Sequence, residues 1–140
     1  MNLFHSLPNY EAYIYAIPDQ YSVIESSTLV VIPRGARVAI VQGELRFKQG
    51  YRLTLQEVLT TERESVCIEF YGYEVWHDDI KLYWYDSQPH PNNPDLALNH
   101  PHHKHVPPNI KHNRIPAPEL RFNQPNLPFL IREVEQILMH

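Results

Sequence analysis

From Tyr21 to Ser87 apolar residues recur at every second position, and turn residues interrupt the pattern without a helix between. Side chains alternate across a strand with a period of two, so this stretch reads as successive strands. Thr28–Ile32 is β-branched and stops at Pro33-Arg34-Gly35. Between Arg37 and Lys48, Val38, Ile40, Leu45 and Phe47 are apolar, while Arg37, Gln42, Arg46 and Lys48 are polar. Gly43 inside that run suggests a bulge. Gln49-Gly50 supplies a tight turn into Tyr51, Leu53 and Leu55, opposite Arg52 and Thr54. Val66, Ile68 and Phe70 share a face of the next run, and Asp78-Asp79 turns the chain into Ile80–Tyr85. There Ile80, Leu82 and Trp84 oppose Lys81, Tyr83 and Tyr85. Short turns allow only antiparallel pairing. The expectation is an α+β chain with a meander of four to six strands.

One face of such a sheet has to be covered, and two helical stripes are available. Ser6 caps the first and Pro8 fits its first turn. Leu7, Tyr10, Tyr13, Ile14 and Ile17 then fall on one side, and Pro18-Asp19 ends it. Tyr10, Tyr13 and Tyr15 resemble an aromatic binding surface, but at this spacing Tyr10 and Tyr13 read as core. The second helix, Pro128–Met139, starts near Asn126 and carries Leu130, Ile131, Val134, Ile137 and Leu138 on one side. Residues 1–140 are read as a single domain with both helices packed on the sheet. Residues 88–124 form a long irregular Pro/His-rich segment holding six of the nine histidines. A loop of that length is usually functional or disordered.

Composition narrows the setting. Cys67 is the only cysteine. It falls in an apolar strand pattern, so a buried thiol and a reducing cytoplasm are expected. No apolar run is long enough to cross a bilayer, and no basic-then-apolar leader opens the chain. No membrane association is therefore expected. The net charge of -4 argues against a general nucleic-acid coat protein. Nine histidines still allow local positive charge.

The chemistry-bearing residues lie between Asp86 and His105. Three readings compete there. In the first, His90, His102, His103 and His105 supply the acid and the base that cleave an RNA phosphodiester, with no metal and no cofactor. Lys104 stabilises charge on the phosphate. Asp86 orients an imidazole, although as a turn residue it equally bonds its own backbone. Tyr83 and Tyr85 stack on a base or pack under the prolines. In the second reading the cluster holds a metal, since imidazole suits zinc, nickel and copper. The spacing matches no zinc module, and adjacent His102 and His103 point opposite ways in an extended chain. In the third the loop is structural: proline fixes it, and the histidines only bond backbone groups or face solvent. As a whole-protein alternative to catalysis, the same segment serves a non-catalytic module that binds a protein partner.

A strand ending Tyr83-Trp84-Tyr85-Asp86-Ser87-Gln88-Pro89-His90-Pro91, followed by Pro101-His102-His103-Lys104-His105-Val106, resembles the TumE family of small prokaryotic proteins, the toxin halves of toxin–antitoxin pairs. The likeness runs from about Tyr21 to Leu138. Its specific part is Asp86, Pro89, His90 and Pro101 to His105. Family members often carry Asn-Ala-Pro-His-His where this chain has Ser87 to Pro91, so Pro91 replaces a histidine, and Asn92 to His100 also differ. The resemblance implies a cognate antitoxin partner, often with a helix-turn-helix domain. RNA as the target follows from the histidine chemistry and from the frequency with which such toxins cut RNA. Exposed sheet edges, Thr28–Ile32 above all, also predict a homodimer or an antitoxin contact.

Overall fold

The computed structural model describes residues 2–139. The alternating stretch becomes six strands: β1 (Ile24–Ser27), β2 (Val30–Pro33), β3 (Val38–Phe47), β4 (Tyr51–Glu62), β5 (Ser65–His77) and β6 (Ile80–Asp86). Two more lie inside the histidine segment: β7 (His103–His105) and β8 (Arg114–Pro116). All pair antiparallel in one sheet, in the order β1-β3-β4-β5-β6-β7-β8, with β2 beside β1 on the same side of β3. Eight strands among the described residues replace the expected four to six. The two extra ones are three residues each, too short to show a period of two and flanked by proline.

Helix α1 spans Leu7–Gln20 and α2 spans Leu127–Leu138. Ser6 caps α1 by accepting from the Asn9 N–H at 3.2 Å. Pro18 does not end the helix, which continues to Gln20. The proline removes one donor in the last turn, and the Tyr21 N–H still closes on the Ile17 carbonyl at 3.1 Å. Tyr10, Tyr13, Ile14 and Ile17 are buried as the helical stripe predicts. Leu127, Leu130, Ile131 and Val134 form the buried face of α2. Both helices cover one sheet face, and their side chains share a core with Leu45, Leu53, Leu59, Tyr73 and Val75.

An ionisable group sits in that core. Glu57 is fully buried. It accepts from the Tyr10 hydroxyl at 2.6 Å and from the Tyr73 hydroxyl at 2.5 Å. The Asn126 amide donates to the Tyr73 hydroxyl at 3.2 Å. The network ties α1, β4, β5 and the start of α2 together. Burial pushes the Glu57 carboxyl above its ordinary value, against the opposing pull of the two tyrosines.

Two local readings need correction. The β4–β5 register shifts between Val58 and Leu59, so Glu69 has no partner across the ladder. The bulge reverses the side-chain parity: Val66 and Ile68 point into the core, but Phe70 points out, 52% exposed, and Tyr71 takes its place. Cys67 lies on the outward side and is exposed. Gly43, in contrast, is no bulge, since the β3–β4 register runs through it unbroken. Its φ is +134°, and an added Cβ would meet the Thr28 carbonyl oxygen at 2.6 Å. Glycine is needed there for close approach of the backbone that joins β1 to β2.

Candidate functional site

Strand β6 alternates in the usual way, so Tyr83 and Tyr85 face the helices while Trp84 and Asp86 face the other side. Strand β7 pairs with it in the register Asp86↔His103, Tyr85↔Lys104 and Trp84↔His105. That register puts His103 and His105 on the Asp86 face and sends Lys104 to the helix face. Residues directly opposite across a ladder are side-chain neighbours, and here they make the site.

The His103 Nε2 lies 2.9 Å from Asp86 Oδ1, and the His105 Nε2 lies 3.3 Å from Asp86 Oδ2. On the far side of each ring, Nδ1 meets a backbone carbonyl: Pro101 at 3.0 Å for His103 and Ile110 at 2.9 Å for His105. Those carbonyls only accept, so each Nδ1 carries its proton. The indole of Trp84 stacks on His105 with ring centroids 3.5 Å apart. His90 stands edge-on to His103 at 4.9 Å, and its backbone N–H donates to His100 Nε2 at 2.9 Å. Asp86 Oδ1 also accepts from the Gln88 N–H at 3.0 Å. Arg114 stands across the β7–β8 pair from His105.

Accessibility divides the cluster. His103 is 1% exposed and His105 is 2% exposed, whereas His90 is half-buried and reaches solvent. The electrostatics divide it again. Burial would lift the Asp86 carboxyl, but the contact with His103, the Gln88 N–H and the neighbouring imidazole charges hold it below its usual range. Burial would lower His103, yet Asp86 and the Pro101 carbonyl win and raise it. At His105 burial wins over Asp86, and the pKa falls. His90 is lowered by burial and by the positive charge of His103 and Arg114. Neighbouring groups pushed in opposite directions are the usual setting for an acid and a base.

The remaining candidate residues lie on the helix side. His102 stacks on Tyr71 and packs against the tilted ring of Phe122, with the Tyr71 hydroxyl 2.6 Å from its Nδ1. Burial pushes its pKa down to about 4, so the ring is neutral at pH 7. Lys104 reaches Glu133 of α2 at 3.2 Å and sits over the Tyr83 ring at 4.2 Å. The Tyr85 hydroxyl donates to the same Glu133 at 2.8 Å. Tyr83 and Tyr85 are buried, so they pack rather than offer a stacking face. The expected convergence on Asp86 therefore holds for His103 and His105, with His90 beside them. It does not extend to His102 or Lys104, because one residue along a strand reverses the face.

Two contributors, Arg114 and Glu133, have no mark in the histidine pattern, and His100 lies within that pattern but is not among the candidate residues. Trp84 had a signal, since it sits two residues before Asp86 on one strand and so shares its face. Among the described residues no helix is long and apolar enough to cross a membrane.

The family model described as Toxin TumE matches residues 14–138, which takes in every strand, α2 and the whole of the Asp86 cluster. No curated protein and no solved structure matches the chain. With nine-tenths of its length inside that match, the chain belongs to the TumE toxin family.

Proposed function

We propose that the chain is the toxin of a toxin–antitoxin pair, that a cognate antitoxin neutralises it, and that it acts by cutting RNA at the Asp86 cluster. The supporting observation is the placement of His90: a solvent-reaching imidazole seated edge-on to a buried imidazole that lies 2.9 Å from Asp86, whose charge draws its pKa upward. His90, with its lowered pKa, is the base that takes the proton of a 2′-hydroxyl. The freed oxygen attacks the adjacent phosphorus, and the 5′-oxygen leaves. His103 is the matching acid for that leaving oxygen. Its burial requires the segment carrying His90 to shift before His103 meets a substrate. A suitably placed acid or base is worth about 10²–10⁴ in rate.

The test is incubation of the purified protein with RNA and analysis of the new ends. Ends carrying 2′,3′-cyclic phosphate, lost in His90→Ala, support the mechanism. Intact RNA, or cleavage undiminished in His90→Ala, refutes it.

A second reading has its own observation. His103 and His105 are nearly inaccessible, which suits a module that inhibits its target by binding through the surface around His90, without catalysis. Growth inhibition with RNA left intact is its signature.

A further inference from the structure

Both imidazoles under His90 are fixed in the same way. Each Nδ1–H is committed to a backbone carbonyl, so in the neutral ring the lone pair is on Nε2. The two Nε2 atoms point toward one carboxylate, Asp86, rather than toward donors. An Nε2 atom facing a carboxylate needs a proton or a metal ion between the two, and both rings present that atom to the same Asp86. The His103 Nε2 is also a buried atom with no aligned hydrogen-bond partner, because Asp86 Oδ1 lies close to it but off its bonding direction. Backbone carbonyls that fix the tautomer and leave Nε2 free are the usual outer support of metal-ligating histidines.

We propose that Asp86, His103 and His105 form a binding site for one divalent first-row transition-metal ion, with zinc the closest match. Two imidazole nitrogens and one carboxylate are a ligand set shared by zinc, cobalt and nickel. One donor atom from each residue lies within 4.8 Å of the other two. Ligands at about 2.0–2.1 Å from a tetrahedral ion stand roughly 3.3 Å apart, so the widest pair closes by at most ~1.5 Å. The ligands come from adjacent strands in fixed register, which limits the ordering cost of assembling them. Arg114 opposes the ion electrostatically, and the Asp86 carboxylate offsets it. His90 stands on the open side, where a fourth ligand or solvent completes the shell.

Metal binding itself does not rest on the acid–base reading. One consequence does: an ion on Nε2 occupies the atom that His103 needs as an acid, so the loaded site is silent in that chemistry. Metal then acts as a brake on the toxin.

The test uses tag-free full-length protein, stripped with chelator and titrated with cobalt(II). The expected result is one equivalent of a four- or five-coordinate ion, seen in its visible d–d bands and displaced by zinc. His103→Gln and His105→Gln should each weaken binding at least about tenfold, whereas His77→Gln and His112→Gln should leave it unchanged. The wild-type titration needs no variant to fold. Absence of d–d bands in wild type overturns the proposal, as does binding that survives both ligand substitutions in folded protein. Failure here is distinct from failure of the RNA reading, which is scored on RNA ends rather than on a metal spectrum.

Discussion

Asp86 and Glu57 show how a carboxylate's surroundings decide its role. Asp86 is depressed and His103 is raised, and the two pH effects have opposite signs. The Asp86 contribution to stability is present above its ordinary value of 3.8 and is lost as pH falls through the lower folded value. The His103 contribution is present below its ordinary value of 6.5 and is lost as pH rises through the higher folded value. Denaturation of wild type and Asp86→Asn should therefore differ more at about pH 5 than at about pH 9. An equal difference at both would mean the contact contributes no charge coupling. Glu57 works the other way. Its carboxyl is raised, so its contribution is present below 4.5 and lost as pH rises through the folded value. Glu57→Gln should gain on wild type as pH rises from 4.5, in a urea series at each pH. Glu57→Ala strands the Tyr10 and Tyr73 hydroxyls and should cost about 2–4 kcal/mol. Asp86 was legible in the sequence from its place at a strand end before the prolines. Glu57 was not, because an isolated acid within alternating residues gives no sign of two tyrosines arriving from a helix and a neighbouring strand.

Among the elements, period and punctuation carried the meander and both helices. They failed where one residue changed parity. Ile68 and Phe70 obey the alternation rule, but the bulge opposite Val58 and Leu59 inserts Glu69 and turns Phe70 outward. Nothing local marks that insertion, because it is set by pairing with β4. The same parity rule explains why His102 and Lys104 part from His103 and His105: β7 pairs in one register only, and its pairing partners lie 17 to 21 residues back along an irregular path. β2 lies at a sheet edge as the Thr28–Ile32 pattern suggests. That edge is partly closed, since the Val31 N–H donates to the Tyr15 hydroxyl at 3.0 Å. Gly43→Ala should destabilise by at least about 1 kcal/mol, because both the positive φ and the Thr28 carbonyl oppose a Cβ. A chemical-denaturation midpoint equal to wild type would show that the β1–β2 junction yields freely. Leu130→Ala on α2 empties a fully buried site and should cost about 2–5 kcal/mol by the same measurement.

At the scale of the whole molecule, a two-helix layer covers one face of the sheet and leaves the Asp86 cluster on the other. Family membership supplies the biological frame, and the cluster supplies the chemistry proposed within it. The proposed dependence of toxicity on His90 is accessible to one growth measurement. Wild type and His90→Ala are induced in a bacterial host to equal soluble levels, with and without the antitoxin gene proposed to lie beside the toxin gene. Substitution of a partly exposed loop residue should change stability by no more than about 0.5 kcal/mol, so loss of fold does not confound the comparison. The account predicts growth arrest by wild type, rescue by the antitoxin, and growth close to the uninduced rate for His90→Ala. Arrest by His90→Ala as complete as by wild type would contradict it.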